Sequence, residues 1–161
     1  MNAVKRGETM SRGKRQAKHG VLREHSLSLT VAAILITWLL LYSRADPSTH
    51  LGGFFGNAIA DWLGVLVFVI ATKYLYEIGS AESREPHPRS PSRFVCFLVD
   101  HSLTIGLVIT GVMWTVVYAR LDSNGKVGQV VGNIVSEWTQ LLGLVVITKY
   151  TREIGSKESR R

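Results

Sequence analysis

A single cysteine in 161 residues excludes an intrachain disulfide framework. Cys96 lies in the run Phe94-Val95-Cys96-Phe97-Leu98-Val99 and carries no partner motif, so it reads as a small apolar side chain. Proline is nearly as scarce, and three of the four fall within residues 80–93, a stretch with no apolar anchor that reads as a linker. Charge is absent from Leu27 through Tyr42. Also absent are a nucleophile elbow, a phosphate loop, a zinc-spaced Cys/His set and a dinucleotide fingerprint. These absences point away from an enzyme, and no cofactor or metal is expected.

What is present is segregated. Hydrophobic residues make up 46% of the chain and mean hydropathy is +0.15, yet the net charge is +7 and the pI near 9.9. Apolar residues lie in blocks with the basic ones between them, the pattern of a multi-pass membrane protein. Nucleic-acid binding is the usual rival for so basic a chain, but no folded basic module is visible and no nucleic-acid partner is expected.

The chain is written twice. Setting His25 against His101 aligns 25–84 with 101–160 without a gap and with 23 identities in 60, far above what unrelated sequence gives. The longest shared stretches are Gly56 to Arg84 and Gly132 to Arg160. Each has an Asn and an acid four residues apart, an apolar run, Thr-Lys-Tyr, and then Glu-Ile-Gly-Ser. The predicted fold is all-α and integral to the membrane, with four transmembrane helices arranged as two tandem parallel two-helix repeats. A basic tail, 1–24, precedes repeat 1 at 25–79, with spans at about 27–43 and 56–78. A linker, 80–93, leads to repeat 2 at 94–155, with spans at about 102–119 and 130–150, and a basic tail at 156–161. The run 94–99 either lies along the membrane surface or extends the third helix. The tail plus the first span resembles a signal peptide, but the counterpart at 103–119 cannot be one.

Charge orients the spans. Lys and Arg number 7 in residues 1–25, 4 in 73–93 and 5 in 149–161, while the short links hold only Arg44, Arg120 and Lys126. The positive-inside rule then places both termini and the linker in the cytoplasm, in a cell inner (cytoplasmic) membrane.

The candidate intramembrane site is Asn57, Asp61, Asn133, Ser136, Glu137 and Gln140. Asn57–Asp61 and Asn133–Glu137 are i,i+4 pairs on one helical face, which Gln140 extends in the second copy. Two readings stay open. Buried, the carboxylates would carry protons or cations. In the first turns of a helix beside an interfacial Trp, they would serve the helix dipole and anchor the span in the headgroups, with Asn as cap. Lys73–Glu77 and Lys149–Glu153 are i,i+4 and read as ion pairs at the cytoplasmic edge. Glu24-His25 and Asp100-His101 open the odd-numbered helices. With His19, His50 and His87 dispersed, they read as interfacial flanks rather than a metal site.

These motifs resemble an uncharacterised family of bacterial four-span membrane proteins. In that family each half opens Glu-His-Ser-Leu-Ser-Leu, continues with Asn-Trp-Gln-Ser-Glu-Phe-Leu-Gln and closes Gly-Ser-x-Glu-Ser. Glu24-His25-Ser26-Leu27-Ser28-Leu29 matches the opening, and Asp100-His101-Ser102-Leu103 is its second copy. Asn133, Ser136, Glu137 and Gln140 match the acidic motif, with Trp138 at the Phe position and Ile134-Val135 in place of Trp-Gln. Gly79-Ser80-Ala81-Glu82-Ser83 and Gly155-Ser156-Lys157-Glu158-Ser159 match the close. The resemblance implies the four-span architecture and no activity. The expected function is therefore a non-enzymatic multi-pass membrane protein with an assembly or interaction role. The alternative is a small proton- or cation-conducting channel or transporter using Asp61 and Glu137. The expected partner is the lipid bilayer, and conduction would need a homo-oligomer because a four-span pore is tight.

Overall fold

The computed structural model describes residues 23–83 and 92–151. Residues 1–22 of the first basic tail, the second basic tail, most of the linker and Glu153 lie outside the described residues. Five helices and no strand occur among the described residues: α1 Ser26–Arg44, α2 His50–Tyr74, α3 Arg93–Asp100, α4 Ser102–Tyr118 and α5 Lys126–Tyr150. α1, α2 and α5 are each long and apolar enough to cross a membrane. The pair α3 and α4, bent by 66° at its junction, makes a fourth if it is counted as one span.

The long helices reach further toward their links than the expected spans. α2 begins at His50 rather than 56 and α5 at Lys126 rather than 130. In the extra turns, 50–55 and 126–129, glycine and polar residues interrupt the apolar run, but both turns are set by the preceding link. In the first link the Asp46 carboxylate accepts from the Ser48 amide at 2.9 Å and hydroxyl at 2.7 Å. In the second, Asp122 accepts from the Asn124 amide at 3.0 Å. These Asx turns compete successfully with helix. Thr49 then caps α2 by accepting from the Gly52 amide at 3.1 Å.

At the other end α2 stops at Tyr74, short of the expected Ile78, and Leu75 is extended. Backbone groups beyond Tyr74 find partners on α3 and α4 instead. The Ile78 amide donates to Asp100 O at 2.8 Å, and the Leu103 amide donates to Tyr76 O at 3.0 Å. Exchanging intrahelical for tertiary bonds costs little net free energy, so tertiary packing decides where the helix ends.

Five threonine hydroxyls within the apolar helices are satisfied locally. Thr37, Thr72, Thr110, Thr115 and Thr139 each donate to the carbonyl four residues back, at 2.7–3.0 Å. This back-bonding is the form in which Thr enters an apolar medium without an open donor.

In space the order is α1–α2–α5–α4. The two helical hairpins share one contact, at positions that the internal alignment pairs. The Tyr42 ring comes within 3.3 Å of where a Cβ on Gly56 would stand, and the Tyr118 ring within 3.0 Å of one on Gly132. α1 and α2 also share an aromatic group, with Trp38 5.7 Å from Phe54 and 5.9 Å from Phe55. α4 and α5 meet through Trp114 and Trp138, 6.1 Å apart edge to face, and the Trp138 indole donates to Thr110 at 2.8 Å. The buried core comprises Ala60, Leu103, Leu107, Ile134, Trp138, Leu141 and Val145, with Leu63, Val67 and Phe68 packed against it. It lies on the α2–α5–α4 side, which makes that half the denser one.

Candidate functional site

Polar groups collect at both ends of the α2–α5 interface. At the end carrying the links, a cavity of about 600 Å³ is lined by Gly53, Gly56, Asn57 and Tyr118, and by Ser123, Gly128, Gln129, Gly132 and Asn133. Six of these are three pairs at the repeat spacing: Gly53 with Gln129, Gly56 with Gly132, and Asn57 with Asn133. Glycines keep the walls thin, so the carboxamides are the main polar equipment of the chamber.

The two acids lie one turn below these carboxamides. Asn57 donates its amide to Asp61 Oδ2 at 2.9 Å, as the i,i+4 spacing predicts. Glu137 is half-buried, and its Cγ, Cδ and Oε1 lie directly over Gly64 of α2, so any side chain at 64 would displace the carboxylate. Asp61 lies one turn before Gly64 on the same face of α2. The structure thus places both acids below Asn57 and Asn133 on the facing helices, with Asp61 exposed and neither acid lining the cavity. Ser136 and Gln140 line no part of the cavity.

The helix-cap reading of the acids does not hold. α2 starts at His50 and α5 at Lys126, which puts Asp61 and Glu137 about 16 Å along their helices, three turns in. Dipole and capping effects are confined to the first turn, so neither acid is placed by them. Below the acids the packed apolar core fills the interface down to the other end.

That far end holds a knot the sequence placed differently. Glu77, 2% exposed, receives both Lys149 Nζ at 2.9 Å and His101 Nδ1 at 2.8 Å on the same oxygen, Oε1. The expected Lys73–Glu77 pair is not formed. The end of α2 at Tyr74 takes the two residues off a common helix, and Lys73 instead lies over the Tyr74 ring at 5.4 Å. Lys149–Glu153 includes a residue outside the described set. Burial raises the Glu77 pKa, but Thr104, Lys149 and His101 outweigh it and hold the carboxyl below its usual range. Thr104 Oγ1 and Glu77 Oε2 lie close enough for this influence, yet each is a buried atom with no hydrogen-bond partner of ordinary geometry.

The residues after Glu77 build the hook that holds it. Gly79 has φ of 82°, a conformation open to glycine at no steric cost. Ser80 Oγ and Thr148 Oγ1 are 3.1 Å apart, which ties the hook to α5. Ser83 Oγ donates to Glu77 O at 2.6 Å and accepts from the Glu77 amide at 3.1 Å. In the first copy the string Glu-Ile-Gly-Ser-x-Glu-Ser is thereby explained as a hook motif, and its recurrence in the second was the available signal. His101, set aside as a flank, belongs to this knot. Asp100 contributes through its main chain. Among the described residues no three His, Cys, Asp or Glu side chains form a metal-binding group.

Comparison with protein-family models, with curated proteins and with solved structures gives no match to this chain.

Proposed function

We propose that this chain is a four-span integral protein of a cytoplasmic membrane, built as two tandem parallel two-helix repeats, whose role is non-enzymatic and exercised through assembly or interaction. The observation that carries this reading is the apolar core between Asp61/Glu137 and Glu77. It separates the two polar stations with close-packed side chains, Leu103 and Val145 being fully buried. A proton or hydrated cation crossing such a layer would lose its solvation with nothing in exchange, at a cost of many kcal/mol. A single copy of that kind binds and positions rather than conducts.

A second reading has its own observation. The Glu137 carboxylate over Gly64, beneath a polar chamber and one turn from Asp61, is the arrangement a proton or cation site would use. One experiment decides between them. Purified protein in vesicles under an imposed potential is expected to pass no more protons or monovalent cations than protein-free vesicles. Flux that disappears in Asp61→Asn and in Glu137→Gln would replace the first reading by the second.

The orientation is also testable. Single cysteines in a Cys96→Ser background are expected to react with an impermeant reagent from outside at positions 46–50 and 122–126. Outside labelling at positions 80–90 instead would invert the topology, against the charge count that supports it.

A further inference from the structure

α3 is a short helix with one apolar side that the described residues leave largely exposed, Phe97 holding its ring 4.8 Å from that of His101. Phe94, Val95, Phe97 and Leu98 are 70, 42, 57 and 40% exposed, and 94, 97 and 98 share a face by the i,i+3,i+4 rule. Val99 and Asp100 are half-buried. The 66° elbow with α4 sits at His101, whose φ of −121° and ψ of 15° are not helical.

The elbow is held by the knot around Glu77. A straight helix would use the Leu103 amide to bond Val99 O. Here that amide donates to Tyr76 O at 3.0 Å, and the Ser102 hydroxyl takes Val99 O at 2.9 Å. Ser102 Oγ also accepts from the Tyr76 amide at 2.9 Å, Asp100 O accepts from Ile78, and Glu77 pairs with His101. The groups that straightening would recruit are already engaged by the hook.

Length agrees. The 17 residues of α4 span about 25 Å, near the ~30 Å of bilayer hydrocarbon, whereas a straight helix from 93 to 118 would reach about 39 Å. Along α4 itself Val108, Ile109, Val112 and Val116 are exposed, whereas residues 99–107 around the elbow are buried or half-buried.

We infer that α3 is a lipid-binding element. It lies in the bilayer interface at the end of the α4 span, with Phe94, Val95, Phe97 and Leu98 inserted at the headgroup–acyl boundary and the elbow clamped by Glu77. This rests on the membrane reading above and adds the lipid surface as the partner of this one face. An apolar helix side binds a bilayer through buried area, so zwitterionic lipid suffices.

The test places an environment-sensitive fluorophore at Phe94→Cys, Phe97→Cys, Leu98→Cys or, as mid-span control, Ile109→Cys. Each is made in the full chain with Cys96→Ser and reconstituted in phosphatidylcholine vesicles. The lipids carry a nitroxide either near the glycerol or near the chain end. Positions 94, 97 and 98 are expected to be quenched at least about twofold better by the shallow nitroxide, and 109 by the deep one, as an interfacial helix requires. Deep quenching at 94, 97 and 98 equal to that at 109 would mean that α3 continues the span. Quenching there by neither lipid, with 109 quenched by the deep one, would mean that protein or water covers the face. Either result overturns the inference, whereas loss of quenching at 109 itself would remove the membrane reading.

Discussion

Lys149→Met is expected to destabilise the protein by about 3 kcal/mol, because it leaves a buried carboxylate with one cationic partner fewer. Glu77 is 3% exposed in its side chain, against 22% for Lys149 and 26% for His101. The asymmetry predicts unequal single variants. In Glu77→Gln the lysine can turn toward solvent and the amide can still bond His101, so the loss is expected to be about 1–2 kcal/mol. The double variant should cost less than the sum, because it removes both charges together. Chemical unfolding in detergent followed by tryptophan fluorescence reads all three. A Lys149→Met value within about 0.5 kcal/mol of wild type would remove the knot as a stabilising element.

The same carboxylate sets a pH dependence. Its pKa in the folded protein lies below the ordinary value of 4.5, because the nearby Thr104 hydroxyl and the bonds from Lys149 and His101 outweigh burial. A depressed carboxylate binds fewer protons folded than unfolded, so its contribution is fully present above about pH 4.5 and is lost as pH falls through the lowered value. Glu77→Gln is expected to flatten the acid limb of the stability curve.

The second large effect is expected at two glycines in equivalent places. A Cβ at Gly52 would overlap the Asp46 carbonyl oxygen, and one at Gly128 would overlap that of Asp122. Neither carbonyl is free to move. Asp46 O already accepts from the Thr49 amide at 3.2 Å and hydroxyl at 2.7 Å, and Asp122 O accepts from the Gly125 amide at 3.0 Å. Gly52→Ala and Gly128→Ala should each lose about 2–3 kcal/mol, since forced main-chain shifts outweigh the roughly 1 kcal/mol that Ala gains in a helix. Gly143, with nothing within 4 Å of an added Cβ, is the control, and its Ala variant should be neutral or slightly stabilising. Equal effects at 52, 128 and 143 would mean that helix propensity alone is being read.

Two of the paired acid-site residues were legible in full from spacing. Asn57 and Asp61 lie four apart, and on any helix they must meet. That Glu137 rests on Gly64 was not legible, because it depends on which faces of α2 and α5 are apposed. Capping arguments failed at both acids for a definite reason: the helices begin before the apolar runs do, in segments where Gly and polar residues break up the hydrophobic signal. Glu77 failed the other way. Its spacing to Lys73 suggested a pair, but a spacing rule holds only while both residues are on one helix, and α2 ends between them.

The sequence by itself determined where the apolar helices fall, that 25–84 is repeated as 101–160, and which polar residues each copy carries. Those follow from local chemistry, which each segment has regardless of its neighbours. Only the tertiary structure decided that α2 stops at Tyr74, that α3 bends away from α4, and that Glu77 takes its partners from the second half of the chain. In each case backbone and side-chain groups had two satisfactory sets of hydrogen bonds, one along the helix and one across the bundle. The balance between two such sets lies in the packing of distant segments.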